Sequence, residues 1–284
     1  MSLDPFCTYC GTAVRAHERW CPNCCRDVGF PNRRAVMTAD ECAALSRRVF
    51  EAERDLATKK CSEVGERFRN ALRQSTAVIC CNISRAISLL QSDNSLYASF
   101  YELVSGGIRR PEETAVETDR LLVDDLLFPH YREHIHFAAL TLDGRGIHAY
   151  GACALLLKEG SIAHRATVFE TNSVYFYRKH LLRIGSEIPP GHRAAWEMRD
   201  ELALVKHKDD LTSDLRDEQF AQLLMRNAES VTYQDFIEVH IYGPLHRAAV
   251  QSVLCGQTQS DIDRLLASFL QQLAEQANIG WTTK

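Results

Sequence analysis

The chain has 284 residues, of which 45% are hydrophobic and 25% are charged, a composition typical of globular proteins with a core of their own. A formal net charge of −4 argues against a generally basic protein that coats duplex nucleic acid, so any nucleic-acid contact has to be a local patch. No apolar run reaches membrane-spanning length, and the start, Met1-Ser2-Leu3-Asp4-Pro5, lacks the basic and apolar regions of a signal peptide. We therefore expect a cytoplasmic protein with no membrane partner.

Four of the eleven cysteines form two Cys-x-x-Cys pairs near the start of the chain, separated by ten residues. They are Cys7, Cys10, Cys21 and Cys24. Two such pairs supply the four thiolates of a closed tetrahedral Zn²⁺ site, which is structural rather than catalytic. The sequence therefore predicts a zinc ribbon over residues 1–34, with Cys25 and His17 as alternative ligands. The other cysteines are scattered and are expected to be packed thiols in a reducing compartment.

Arginine and aromatic residues are concentrated in and just after the predicted ribbon. They are Arg15, Arg19, Arg26, Arg33, Arg34, Tyr9, Trp20 and Phe30. Arginines interleaved with aromatic rings suit RNA or single-stranded DNA, because bases stack on the rings and the backbone is anionic. The alternative is a ribbon that docks on its own chain or on a protein partner.

Residues 35–130 are predicted to form a helical region. Thr38 to Glu41 has the pattern of a capping box, and apolar residues then recur at helical spacing in several runs. The last of these helices runs from about Thr118 to Phe128 and ends before Pro129. The polar faces are mixed in charge, which favours a solvated scaffold. A segment of this kind is also where an antitoxin or chaperone protein could bind.

Residues 131–284 are predicted to form a mixed α+β domain with mainly antiparallel sheets. The expected strands are Ile135 to Leu142, Ile147 to Leu157, Ile162 to Phe169 and Asp235 to Tyr242. The expected helices run from about Arg193 to Lys208, Asp214 to Asn227 and Gln259 to Ala277. The fold class that follows is α+β: a small N-terminal zinc ribbon, a helical middle segment and a C-terminal mixed domain.

Glu238 lies in the middle of a strand that is otherwise apolar and aromatic. Such a carboxylate has to reach solvent or line a cleft, because an unpaired buried charge is very costly. His240 follows two residues later and points to the same side of the strand. The alternative is the polar face of an exposed edge strand.

Several segments resemble the ADP-ribosyltransferase superfamily. Phe236-Ile237-Glu238-Val239-His240-Ile241-Tyr242-Gly243-Pro244 resembles its last signature strand, which carries a catalytic glutamate. Tyr150-Gly151, Leu155 to Lys158, Arg165-Ala166-Thr167 and Asn172-Ser173 resemble the middle strands of bacterial toxins of this superfamily, and Ile135 to Leu140 resembles the first signature strand. The resemblance covers about residues 134–255. It implies split sheets with an NAD-binding cleft between them, and transfer of ADP-ribose with loss of nicotinamide.

The resemblance also implies roles for individual residues. Glu238 would be catalytic, stabilising the oxocarbenium-like charge that develops as nicotinamide leaves. His136 would hold the adenosine ribose, Tyr150 would stack on the nicotinamide ring, and Arg165 would neutralise the pyrophosphate. The rest of the implied NAD-binding set is Gly151, Thr167, Ser173 and His240. The chain lacks the Ser-Thr-Ser motif and the Gln/Glu-x-Glu pair of the superfamily, which leaves the acceptor open.

Two other functions compete with this one. His130, His134 and His136 form a cluster that, with Glu238, would suit a metal-dependent hydrolase or nuclease. A non-enzymatic zinc-ribbon adaptor is the third possibility. The prediction we adopt is an NAD-dependent mono-ADP-ribosyltransferase with one structural Zn²⁺ and NAD⁺ as co-substrate. We expect it to act on RNA or single-stranded DNA as a toxin of a toxin–antitoxin or anti-phage system.

Overall fold

A computed structural model of the chain describes residues 6–107, 115–182, 186–228, 234–256 and 260–283. In these ranges the chain forms α-helices and β-strands in mixed order, preceded by the cysteine-rich ribbon. The helices are α1 (Pro31–Val36), α2 (Ala39–Thr58), α3 (Ser62–Leu72), α4 (Ile83–Leu90), α5 (Phe100–Ser105), α6 (Ala115–Leu127), α7 (Glu159–Ile162), α8 (Ser173–Lys179), α9 (Arg199–His207), α10 (Phe220–Leu224) and α11 (Asp261–Gln276). The strands are β1 (Thr76–Cys81), β2 (Ile135–Thr141), β3 (Cys153–Leu157), β4 (Ala166–Phe169), β5 (Arg193–Ala195), β6 (Glu238–Tyr242), β7 (Val250–Cys255) and β8 (Gly280–Thr283).

All eight strands join one sheet in the order β5-β4-β6-β2-β1-β3-β7-β8. Neighbouring strands are antiparallel except β7 and β8, which are parallel. A single sheet replaces the split sheets that we expected, because β1 pairs with β2 on one side and with β3 on the other. This central strand comes from the predicted helical region, where a six-residue apolar run between two helices gave no distinct signal.

Helices cover both faces of the sheet. Residues paired directly across neighbouring strands lie on the same face, so the register identifies the two faces. One face holds the main core, in which Ile79, Leu140 and Leu155 pack with apolar residues of α2, α3, α4, α9 and α11. On the opposite face α6 and α8 cover β2, β4 and β6, with Val123 and Phe176 among the buried residues of that cluster.

Several predicted elements have different bounds in the structure. The segment expected as a helix from Arg193 begins as strand β5, and α9 starts only at Arg199. Residues His148–Tyr150 form a 3-10 helix, so the strand predicted from Ile147 begins at Cys153. The strand predicted from Ile162 is likewise reduced to β4, and the helix predicted from Asp214 to α10 with a preceding 3-10 turn. In the final helix, α11, the predicted first residue Gln259 lies outside the described residues.

In the described ranges, no helix is both long enough and apolar enough to cross a lipid bilayer. The longest helix is α2, and its side chains alternate between the main core and solvent. The apolar residues of α2 are therefore accounted for by packing against the sheet.

Candidate metal centre and candidate active site

The four predicted zinc ligands lie together. Cys7 Sγ is 3.7 Å from Cys24 Sγ, and Cys10 Sγ is 3.5 Å from Cys21 Sγ. All four sulfur atoms lie within 4.8 Å of one another. A tetrahedral Zn²⁺ ion with Zn–S bonds of about 2.3 Å separates its sulfur ligands by about 3.8 Å. The arrangement therefore fits one closed, structural Zn²⁺ site.

The two Cys-x-x-Cys turns have the same backbone geometry. The Gly11 N–H donates to the Cys7 carbonyl at 2.8 Å, and the Cys25 N–H donates to the Cys21 carbonyl at 2.9 Å. Gly11 and Cys25 also share a left-handed backbone, with φ of 71° and 55°. Cys25 thus occupies the turn position that glycine takes in the first pair, and its exposed thiol is not part of the four-sulfur group.

The ribbon docks on the rest of the chain, which is one of the two alternatives that its arginines and aromatic residues left open. The Arg34 guanidinium donates to the carbonyls of Arg15, Ala16 and Glu18. Arg33 Nη1 pairs with Glu197 at 2.8 Å. These two arginines are therefore committed to holding the ribbon in place.

Aromatic and imidazole contacts complete this docking. Arg19 lies 4.1 Å from the ring centroid of Phe30, and Phe30 in turn packs against Tyr242 of β6 at 5.6 Å. His17 packs edge-on against His130 at 5.2 Å, so this alternative zinc ligand is turned toward the body and away from the cysteines.

Glu238 is 1% exposed and is surrounded by hydrogen-bond donors. Its Oε1 accepts from Arg120 Nη2 at 3.0 Å, and its Oε2 accepts from the Ser173 backbone N–H at 3.1 Å. His240 Nε2 lies 3.1 Å from the same Oε2. Burial penalises the charged carboxylate, but Arg120, His240 and Ser173 outweigh it and lower the pKa of Glu238 to about 2. Glu238 is therefore ionised at neutral pH.

The local fold explains how these donors reach Glu238. Glu238 is the first residue of β6 and pairs with Phe169, the last residue of β4. The chain then turns into α8, where the Asn172 side chain caps the helix by accepting from the N–H groups of Val174 and Tyr175. This turn places the Ser173 N–H at the start of α8 opposite the carboxylate.

A second layer of buried polar groups extends from Arg120. Asp124, one turn further along α6, lies 3.6 Å from Arg120 and accepts from the Tyr101 hydroxyl at 2.7 Å. Burial raises the pKa of Asp124 to about 6. Arg120 Nη1, Asp124 Oδ1 and Ser173 Oγ are buried and have no hydrogen-bond partner within the part of the chain that the structure describes. Because Arg120 Nη1 and Asp124 Oδ1 are the two atoms of the 3.6 Å ion pair, the Ser173 hydroxyl is the one of the three with no polar partner among the described residues.

Further polar residues lie just before β6. The half-exposed Tyr150 donates its hydroxyl to Gln234 Oε1 at 2.6 Å. Thr171 Oγ1 and Lys206 Nζ both donate to the Asp235 carboxylate. The sequence did not indicate Arg120, Asp124 or Lys206, because each comes from a distant segment and carries no motif of its own; Asp235 was recognised only as the start of the predicted strand.

The structure brings some members of the predicted NAD-binding set together. Ser173 and His240 contact Glu238 directly, and buried Thr167 pairs with His240 on the same face of the sheet. Tyr150 lies near enough to Arg120 to interact with it electrostatically. Gly151 follows Tyr150 at a φ of 146°, where a Cβ would lie 2.1 Å from the backbone of Cys81, so close packing explains this glycine.

Two members of that set are placed elsewhere. His136 is paired with Ile241 and points to the face opposite Glu238, where burial lowers its pKa to about 4. The Arg165 guanidinium donates to the backbone carbonyls of Tyr242, Pro244 and Ser161. It therefore holds the end of β6 in place and is not directed toward Glu238.

The predicted histidine metal cluster is not formed. His130 contacts His17, His134 packs against Tyr242, and His136 packs against Tyr97 on the other face of the sheet. In the ranges that the structure covers, the group able to hold a metal ion is the four-cysteine cluster. His130 and His134 lie before β2, and His134 ends a 3-10 turn, so of the three histidines only His136 is held by the strand and their rings do not converge.

No protein-family model matches this chain, and no curated protein sequence is significantly similar to it. The resemblance to ADP-ribosyltransferases thus stays a prediction from the sequence. Function has to be inferred from the residues around Glu238 and from the ribbon.

Proposed function

We propose that the chain is an NAD-dependent ADP-ribosyltransferase whose reaction centre is Glu238. The observation that carries this proposal is an ionised, buried carboxylate beside the Arg120–Asp124 ion pair and the buried Ser173 hydroxyl, which has no hydrogen-bond partner among the described residues. A nucleotide offers ribose hydroxyls and a carboxamide, which are donors and acceptors of the kind that such atoms bind. Tyr150 provides an accessible ring at the side of the same cluster.

Glu238 would act by electrostatic stabilisation. When the bond between the ribose C1′ carbon and nicotinamide breaks, positive charge develops on the ribose, and a nearby fixed carboxylate stabilises it. The Ser173 N–H and His240 would together keep the carboxylate oriented through its Oε2 atom. The acceptor's nucleophilic atom then bonds to C1′ and loses its proton, so the products are nicotinamide and ADP-ribosylated acceptor.

Arg120 limits this reaction in the arrangement described. Its guanidinium is bonded to Oε1 of Glu238 and neutralises the charge that the transition state needs. Substrate binding therefore has to move the Arg120 side chain away from Glu238. Glu238→Gln is expected to abolish NAD consumption.

The ribbon supports a nucleic-acid acceptor. Residues 6–34 have a net charge of +3 within a chain of net charge −4; of their five arginines, Arg33 and Arg34 dock the ribbon, whereas Arg15 and Arg26 are exposed. Tyr9 is 61% exposed and Trp20 is 54% exposed, and the Arg26 guanidinium lies 4.3 Å from the Tyr9 ring centroid. Exposed rings and arginines bind single-stranded nucleic acid by stacking and charge, without base specificity.

The test is incubation of the purified chain with NAD labelled in its adenylate part, together with RNA, single-stranded DNA or cell lysate. We expect label to enter nucleic acid, and Glu238→Gln to remove it. Glu41→Gln is a matched control, because Glu41 is 4% exposed and accepts from Arg193 and the Gly191 N–H. The proposal fails if no fraction acquires label, or if both glutamine variants behave alike. Growth arrest on expression, lost in Glu238→Gln, would support a toxin.

A non-enzymatic adaptor is the second candidate. It is favoured by the complete pairing of both Glu238 oxygens, which is also what a structural ion pair would show. An adaptor would bind nucleic acid through Tyr9 and Trp20 and would leave NAD unchanged. Trp20→Ala would then weaken binding of a single-stranded oligonucleotide, while Glu238→Gln would affect only stability.

A further inference from the structure

Three buried cysteines form a row across adjacent strands of the sheet. Cys81 of β1 pairs with Cys153 of β3, and Cys153 pairs with Cys255 of β7. They are at most 2% exposed and all three are free thiols. Cys153 Sγ lies 3.7 Å from Cys255 Sγ. The two thiols are thus already in contact, on the face of the sheet that α4 and α11 cover.

The strand register makes Cys153 and Cys255 suitable for a direct bond. The Gly256 N–H donates to the Ala152 carbonyl at 2.8 Å, so residues 152 and 256 form a hydrogen-bonded pair of the antiparallel ladder. The adjoining pair, Cys153 and Cys255, is therefore a non-hydrogen-bonded pair, in which Cα atoms are about 4.5 Å apart and side chains are closest. Disulfides span Cα separations of about 4.4–6.8 Å, so rotation of the side chains is enough.

Cys81 differs from Cys153 and Cys255 in its surroundings. Burial raises the pKa of Cys81 to about 12, and the buried Tyr97 hydroxyl is its hydrogen-bond partner. Cys153 and Cys255, by contrast, share a hydrogen bond in which either thiol can be the donor, and this contact lowers the pKa of Cys255. Thiolates are the reactive form of cysteine, so Cys255 is the nucleophile of the row.

We propose that Cys153 and Cys255 are a redox modification site, which a small hydroperoxide such as hydrogen peroxide converts into a cross-strand disulfide between β3 and β7. The Cys255 thiolate attacks the peroxide oxygen, the O–O bond breaks, and water leaves after protonation. The Cys153 sulfur then attacks the resulting sulfenic acid and displaces a second water. Two thiols are oxidised, one peroxide is reduced to two waters, and no other reactant is needed.

This inference does not rest on the proposed function. The new bond would join β7 covalently to the middle of the sheet, and β7 carries the edge strand β8 and the packing of α11. The oxidised chain would therefore resist opening of this edge more than the reduced chain does. A thiol reductant reverses the change.

The experiment is peptide mapping of the full-length, zinc-loaded chain after treatment with hydrogen peroxide. The protein is unfolded in N-ethylmaleimide to cap free thiols and is digested with trypsin. Cys153 and Cys255 fall in peptides 146–158 and 248–264, each with a single cysteine. We expect these two peptides to be joined, with a mass two hydrogens below their sum, and to separate after reduction.

Three variants make the result decisive. Cys153→Ser and Cys255→Ser are expected to eliminate the joined peptide. Cys81→Ser is a matched control from the same row and is expected to keep it. The proposal is overturned if both peptides carry N-ethylmaleimide at a peroxide dose that already releases zinc from the ribbon. It is also overturned if Cys153 is joined to peptide 74–85, which holds Cys80 and Cys81.

Discussion

We expect Arg120 and Glu238 to contribute jointly to the free energy of unfolding at pH 7, so that the effects of removing each charge are not additive. We consider Glu238→Gln, which removes the negative charge with little change in shape, and Arg120→Met, which removes the positive charge and keeps an apolar chain. The double variant completes a thermodynamic cycle. Removing one member leaves the other charge buried, since Glu238 is 1% exposed and the Arg120 side chain is 20% exposed.

The magnitude follows from the pKa of Glu238. A fall from 4.5 to about 2 is worth about 3 kcal/mol of stability at neutral pH, at roughly 1.36 kcal/mol per pH unit. The folded pKa is depressed, so this stability is present above pH 4.5 and is lost as the pH falls toward 2. Each single variant should lose about 3–5 kcal/mol, the usual cost of breaking a buried pair. The double variant should lose about 2–3 kcal/mol less than the sum.

The assay is urea unfolding of the four proteins at pH 7, followed by circular dichroism and tryptophan fluorescence. Coinciding transitions from the two probes would justify a two-state analysis. Repeating the measurement at pH 3 should reduce the difference between the wild type and Glu238→Gln. Losses that simply add to within about 0.5 kcal/mol would refute the reasoning, because independent sites show no coupling.

Three further predictions concern the ribbon, a glycine and a buried histidine. Cys24→Ser should lose the single bound Zn²⁺ and Cys25→Ser should retain it, as measured by metal analysis after gel filtration; equal zinc contents would contradict the ligand assignment. Gly151→Ala should cost more than about 2 kcal/mol in urea unfolding, because its backbone is strained for other residues and the new Cβ meets Cys81. His136→Phe should remove a fall of about 3 kcal/mol in stability between pH 6.5 and pH 4, because the lowered pKa of about 4 favours the neutral ring in the folded chain. An unchanged pH profile would contradict that pKa.

The zinc ribbon was predictable because its chemistry is local. Two pairs of cysteines at fixed spacing define the ligands before any long-range contact forms, and the structure places all four sulfurs within bonding range of one ion. The same local logic located Thr38 as the cap of α2, which accepts from the Glu41 N–H. By contrast, β1 was missed because a short apolar run between helices is equally consistent with a helix, and only its partners β2 and β3 make it a strand.

The site at Glu238 was predictable only in part, because its partners come from distant segments of the chain. The strand pattern identified a carboxylate that required compensation, but Arg120 lies 118 residues away and the pattern could not name it. Strand periodicity also excludes His136 from the Glu238 site, although the resemblance implies that both bind NAD. Glu238 pairs with Ala139, an odd number of residues from His136, so His136 has to lie on the other face whatever the loops do. A ligand bound at Glu238 would therefore lie on the face that α6 and α8 cover, and under the proposed function Arg120, Asp124 and Ser173 are the residues beside it.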